Sequence, residues 1–222
     1  MNSENPTCVL FDMDGVLLDT EPLYSQAIHS VTTRFGHDFT WALKEKIMGR
    51  GRMAAARFLV ETLQIPLTPE AFLAERDVVL MDLLAVAKEI PGAEAFTRLL
   101  HARGVKMAVA TSSESGIFEH KTGLHREWFS IFSAVVCGDD PRLTAAKPSP
   151  DIFLVAAREL GVKPDHCLVV EDSPAGVQAA RAAGMRVIAM PDPNLDPSLV
   201  AMADCVIRGF HEFPMECLEP RI

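Results

Sequence analysis

No stretch of this 222-residue chain approaches the eighteen or so consecutive apolar residues that a membrane-spanning helix needs, so no such span is expected. The opening Met1-Asn2-Ser3-Glu4-Asn5-Pro6 lacks the basic start and apolar middle of a secretory leader, and a cytoplasmic protein is expected. Basic excess is missing too. A formal charge of −9 and a pI near 5.2 set up a field that repels nucleic acid and anionic membrane surfaces, so neither is expected as a partner. An anionic substrate would need local positive groups. Cys8, Cys137, Cys167, Cys205 and Cys217 contain no Cys-x-x-Cys pair, and their odd number leaves no full disulfide framework. The first four lie in or beside apolar strand-like runs, where a thiol serves as a small hydrophobe. The histidines show no metal-ligand spacing. Internal repeats and low-complexity linkers are absent as well. The length suits one or two domains around a sizeable core, with a monomer favoured.

What is present begins with Phe11-Asp12-Met13-Asp14-Gly15-Val16. Ahead of it, Cys8-Val9-Leu10-Phe11 reads as a short buried strand, and two carboxylates follow directly. In a parallel sheet, ligands bind in the crevice beyond the carboxyl ends of the strands, which is where Asp12 would stand. Gly15 lets the chain turn there. A plain strand followed by an Asp-Gly turn accounts for this stretch equally well when it is taken alone.

Downstream, residues 21 to about 90 read as four helices without a convincing strand. These are Glu21 to Phe35, Trp41 to Met48, Met53 to Leu63 and Thr68 to Ala87, closed by Pro91-Gly92. From there strands alternate with helices. Strands are predicted at Val105 to Ala110, Ala134 to Cys137, Cys167 to Val170, Arg186 to Met190 and Cys205 to Ile207. Helices are predicted at Ala93 to Arg103, Asp151 to Leu160 and Pro174 to Ala183. Such alternation predicts an α/β fold with a doubly wound parallel sheet. The strand at Cys8 needs that sheet as its partner. The expected organisation is therefore a core of residues 1–20 and 91–222 interrupted by a helical domain of residues 21–90, with residues 214–222 loosely ordered.

Four polar points follow strands or open turns in the core: Asp12 with Asp14; Thr111-Ser112-Ser113; Lys147 between Ala146 and Pro148; and Glu171-Asp172. Taken singly, each has a plain alternative: helix caps for the hydroxyls and Asp172, a surface loop for Lys147. Together they have one chemical sense. Asp12, Asp14 and Asp172 at one sheet edge crowd carboxylates, a costly arrangement without a cation, and hard oxygen donors with room for water suit Mg²⁺. Thr111 and Lys147 would take phosphate oxygens, with Ser112 and the turn amides beside them. The set predicts phosphoryl transfer to an aspartate.

These motifs, in this order and over nearly the whole chain, resemble those of haloacid dehalogenase superfamily hydrolases with a helical cap inserted after the first motif. The resemblance implies that Asp12 is the nucleophile that forms an aspartyl-phosphate, and that Asp14 is the acid that protonates the leaving oxygen and then activates water. It implies that Thr111 and Lys147 hold phosphate, that Asp172 ligates Mg²⁺ beside Asp12 and the Asp14 carbonyl, and that Glu171 supports Lys147 or the metal shell. Asp14 points to phosphate esters, because the dehalogenases that attack carbon lack this second acid. Mutases of the β-phosphoglucomutase type carry a histidine early in the cap where this chain has Tyr24, so a phosphatase is favoured and a phosphosugar mutase is the runner-up. A non-catalytic phospholigand-binding protein is a third reading. It is disfavoured because binding alone requires neither nucleophile nor acid.

Segments such as Gly138-Asp139-Asp140-Pro141 and Pro150-Asp151-Ile152-Phe153-Leu154 most resemble the pseudouridine-5′-phosphatase group, with 2-deoxyglucose-6-phosphate and glycerol-phosphate phosphatases close by. A small phosphorylated metabolite, nucleotide-like or a sugar phosphate, is the expected partner. In Gly49-Arg50-Gly51-Arg52 the forked donors of Arg50 and Arg52 are candidates for substrate binding, Arg52 foremost; solvation of a helix start is the alternative. Trp41 and Trp128 are candidate stacking residues, though core placement is the more frequent use of such a side chain.

Overall fold

Strand β1 (Cys8–Phe11) is completely buried and pairs in parallel with two neighbours in the computed structural model, which describes residues 6–47 and 51–218. Its position explains its composition. With side chains alternating to opposite faces and both faces covered, every residue of the strand must be apolar. The other strands are β2 (Lys106–Ala110), β3 (Ala134–Val136), β4 (Cys167–Glu171), β5 (Arg186–Ala189) and β6 (Cys205–Val206). They form one parallel sheet in the order β3-β2-β1-β4-β5-β6.

The chain divides into two compact units, Met1–Asp19 with Lys88–Ile222, and Thr20–Ala87. In the first, Leu10, Ala108, Val169 and Val187 face helices α8 (Asp151–Leu160) and α9 (Pro174–Ala182) in one apolar cluster. Val9, Phe11, Val109 and Val170 face the opposite way, against α5 (Ala93–Ala102) and the aromatic residues Trp128 and Phe129 of the short α7 (Arg126–Phe129). Cys8 and Cys167 meet across β1 and β4 with their sulfurs 3.2 Å apart and fully buried, as small hydrophobes would; both are free thiols. Trp128 is also core: its indole N–H donates to Thr97 Oγ1 at 2.8 Å.

The carboxyl-terminal stretch corrects an expectation. Phe210 packs on Phe96 with ring centroids 4.9 Å apart, and Met215, Cys217 and Leu218 lie against the same cluster. Within 214–218, Met215, Cys217 and Leu218 are thus partly buried against the core, and residues 219–222 lie outside the described residues. Two short helices that the sequence reading left out also belong here, α6 (Ser115–Lys121) and α7.

The second unit consists, in its described residues, of α1 (Glu21–Thr32), α2 (Trp41–Ile47), α3 (Arg52–Thr62) and α4 (Pro69–Leu84). Ile28, Val31, Leu59, Val60, Phe72 and Leu73 form its core. Thr68 caps α4 by accepting the Ala71 N–H at 3.1 Å, which explains why the helix starts at Pro69. No helix among the described residues is long and apolar enough to cross a membrane.

Candidate active site

The order of winding places two carboxyl ends side by side where the sheet reverses direction. From β1 the chain passes outward through β2 and β3, then returns to the far side of β1 with β4. Crevices at such switch points are where open α/β sheets bind ligands. Here the strands end in Phe11, followed by Asp12, and in Glu171, followed by Asp172. The Asp12 N–H donates to the Val170 carbonyl at 3.0 Å, so the backbone ladder continues through the first acid.

Lys147 joins these ends. Its ammonium donates to Asp12 Oδ1 at 2.5 Å, to Glu171 Oε1 at 2.7 Å and to the Ala110 carbonyl at the end of β2 at 3.1 Å. All three side chains are more than nine-tenths buried. Burial is the largest influence on Asp12 and pushes its carboxyl up to about 7; Lys147 opposes the shift, and the nearby Glu171 and Asp14 add to it. Burial alone would lower the proton affinity of Lys147, but the two carboxylates outweigh it and raise the ammonium above the ordinary lysine range. Glu171 is satisfied at its other oxygen by the Ser173 N–H at 2.8 Å and the Ser173 hydroxyl at 2.9 Å. That carboxylate lies directly on the backbone of Gly176, and a Cβ at 176 would fall inside it. The Ser173 hydroxyl also accepts the Gly176 N–H at 3.0 Å, which caps α9.

Met13 to Leu18 forms a tight turn after β1, with Leu17 and Leu18 N–H groups on the Met13 carbonyl at 2.8 and 2.9 Å. Gly15 has φ +79°, a left-handed conformation that a side chain resists, and a Cβ there would collide with Asp172 Oδ2. The fourth polar point is therefore seated against the first. Ligand oxygens of Asp12, Glu171 and Asp172 lie within 4.8 Å of one another. Three crowded carboxylates, one of them held off its usual ionisation by burial, form a hard-oxygen donor set that fits a divalent cation. Asp12 and Asp172 of the expected metal set fall in this cluster, together with Glu171, the expected supporting acid; for Asp14 the resemblance assigns the backbone carbonyl to the metal, and its carboxylate is bonded elsewhere.

Asp14 receives Lys121 at Oδ1, 2.6 Å from Nζ, and the Ser113 hydroxyl at Oδ2, 3.0 Å away. Lys121 is the residue of this cluster that the sequence reading missed. A lysine at the end of a seven-residue helix looks like a surface charge, yet it is fully buried. The available signal was its position beside Phe118, in the stretch that follows Thr111-Ser112-Ser113.

Thr111 sits fully buried at the end of β2, where its Oγ1 accepts the Ser113 N–H at 3.1 Å, and Ser112 is exposed in the same turn. Thr111 is thus placed beside the Lys147 contact on Ala110. Arg52 lies in the helical unit as the first residue of α3, exposed and ion-paired with Asp77. Arg50 lies outside the described residues. Tyr24 is half-buried on α1.

The chain is similar to known proteins over most of its length. The family of haloacid dehalogenase-like hydrolases matches residues 6–184. The chain is 43% identical to (DL)-glycerol-3-phosphatase 1, mitochondrial, of Arabidopsis thaliana, over 95% of this chain and 72% of that one. It is equally 43% identical to the probable pseudouridine-5′-phosphatase of Drosophila melanogaster, over 95% of this chain and 92% of that one. Among solved structures, a putative β-phosphoglucomutase from Thermotoga maritima superposes with a TM-score of 0.77 at 30% identity, covering 95% of this chain and 96% of that one.

Proposed function

We propose that this chain, which belongs to the haloacid dehalogenase-like hydrolases and is a phosphatase, hydrolyses a small phosphomonoester by way of an aspartyl-phosphate on Asp12. The observation that carries the reading is the convergence of Asp12, Lys147, Glu171 and Asp172 at the switch point, four residues drawn from three separate stretches of sequence.

In this mechanism an Asp12 oxygen attacks phosphorus and the ester P–O bond breaks. The departing alkoxide is a poor leaving group and takes a proton from Asp14. Asp14, now a carboxylate, removes a proton from water as that water attacks the phosphorus of Asp12-phosphate. Phosphate leaves and Asp12 is restored. Lys147 keeps Asp12 aimed and, together with Thr111 and the exposed hydroxyl and amides at Ser112, offers positive charge and donors to phosphate oxygens. Asp12 and Asp172 would hold Mg²⁺ with Glu171 behind them, and the bound ion would offset repulsion between the carboxylate nucleophile and a phosphate dianion. The helical unit is read as a cap, with Arg52 and Arg50 as its candidates for contacting the leaving group.

The named activities of the two relatives share a phosphate on a primary alcohol carbon, and we infer the same class here: a polyol, nucleoside-like or sugar phosphate, handled in the cytoplasm. The test is phosphate release with Mg²⁺ from glycerol 3-phosphate, pseudouridine 5′-phosphate, uridine 5′-phosphate and hexose 6-phosphates. Preference for one primary ester supports the reading, and preference for pseudouridine 5′-phosphate over uridine 5′-phosphate assigns it to base recognition. Turnover of a hexose 1-phosphate to its 6-isomer, dependent on added sugar bisphosphate and without phosphate release, would favour instead a mutase, the activity in the name of the Thermotoga protein whose structure this chain resembles.

A further inference from the structure

The mechanism above leaves one buried charge without a task. Lys121 has no solvent-accessible surface, and an ammonium removed from water is retained only where its surroundings hold it. What holds it is Asp14. Lys121 Nζ donates to Asp14 Oδ1 at 2.6 Å and to Ser113 Oγ at 2.9 Å, while the Ser113 hydroxyl donates to Asp14 Oδ2 at 3.0 Å. Both oxygens of one carboxylate are thereby gripped from two sides, and the grip closes on itself through the serine. The two acids of the first motif each have their own buried lysine: Lys147 for Asp12, Lys121 for Asp14.

We propose that Lys121 is a positioning residue of the reaction, which fixes the carboxylate of Asp14 in the orientation from which it exchanges protons with the leaving oxygen and with water. This rests on the reading of Asp14 as acid and base. Lys121 does not touch substrate, because its ammonium is enclosed. Ser113 completes the clamp, and its own place is set by the bond from its N–H to Thr111 Oγ1 at 3.1 Å. The residues that seat phosphate and those that aim the acid thus share one turn after β2. The helix that delivers Lys121 is anchored from a distance: the Ser115 N–H and hydroxyl donate to Asp139 at 2.9 and 2.7 Å, so the loop after β3 sets where α6 begins.

The test compares Lys121→Met, of similar length and apolar, with wild type in Mg²⁺ on two esters. One is glycerol 3-phosphate, or whichever alkyl phosphate the panel selects. The other is p-nitrophenyl phosphate, whose leaving group departs without a proton. Positioning predicts a fall in kcat of about 10- to 100-fold on the alkyl ester, a fraction of what a whole acid–base group supplies, with KM changed little. On the aryl ester it predicts a first-turnover release of nitrophenolate at the wild-type rate, followed by slow turnover, because water activation still needs Asp14. Ser113→Ala should move both readouts the same way by less, and it keeps the question open to experiment if Lys121→Met does not fold. An equal fall in the nitrophenolate burst and in steady-state turnover would mean a merely structural role and overturn the proposal, as would unchanged kcat on the alkyl ester. Asp14→Asn separates the two levels. If it keeps wild-type alkyl turnover, the mechanism itself fails. If it shows the alkyl loss with an intact burst and Lys121→Met does not, only the role of Lys121 fails.

Discussion

Asp12 is placed at a cost to the fold, and substituting it should make the metal-free protein more stable while destroying its activity. The neutral form of its carboxyl is favoured in the folded chain, with the pKa pushed up to about 7 from 3.8. Between those values the folded state binds more protons at this site than the unfolded state does, so stability contributed by the site is complete below about pH 4 and is lost as pH rises through about 7. A difference of roughly three units corresponds to on the order of 4 kcal/mol by about pH 8, and to about 2 kcal/mol near pH 5.5. Asn is a permanent mimic of the neutral acid. Asp12→Asn is therefore predicted to exceed wild type by about that much in urea denaturation in the presence of a chelator, with the gap narrowing toward pH 5.5. Lys147 keeps Glu171 as its partner in the variant, which limits any penalty from losing the Asp12 contact. Adding Mg²⁺ should close the gap from the other side, since a bound cation stabilises the ionised acid. Equal stability of the two proteins at pH 8 without metal, or a gap that does not vary with pH, would refute this account of the site.

Gly15→Ala puts a methyl group into Asp172 and a side chain at φ +79°; it should destabilise by about 1 kcal/mol or more and raise the Mg²⁺ concentration needed for half-maximal turnover, measured by metal titration of activity. Trp128→Phe removes the indole donor from buried Thr97 and should cost about 1–3 kcal/mol in denaturation while kcat changes little, separating this tryptophan from the substrate. Asp140 is held down to about 2 by its bonds from Arg142, so it contributes to stability above about pH 4 and that contribution is lost as pH falls toward 2. Hydrogen exchange of residues 140–145 should therefore rise over that interval in wild type, and much less in Arg142→Ala.

The strands were legible because covering a parallel sheet on both faces forces near-continuous apolar runs, and Cys8-Val9-Leu10-Phe11 or Cys167-Leu168-Val169-Val170 cannot be much else. The polar residues that end these runs were legible for the same reason: Asp12, Thr111 and Glu171 each interrupt an apolar stretch at the point where the sheet stops. Lys147 stood out only as a lysine between stiff neighbours, and its partners are 135 and 24 residues away. Helix α6 was not legible because its anchor, Asp139, lies 24 residues on and no local side chain caps it. Lys121 was hidden with it, since its meaning is a contact across 107 residues. The stretch from Pro214 carried few signals because Met215, Cys217 and Leu218 have no local periodicity and find their apolar neighbours only in the assembled core. Membership of Glu171 in the acidic cluster depends on the bare backbone of Gly176, a close approach that no spacing rule anticipates.

The most direct measurement is a single turnover with substrate labelled in its phosphoryl group, quenched in acid and followed by peptide mapping. The account predicts transient label on the peptide that contains Asp12, rising before free phosphate and absent in Asp12→Asn. Release of labelled phosphate at the full rate with no label on the protein at any time, and undiminished in Asp12→Asn, would contradict it.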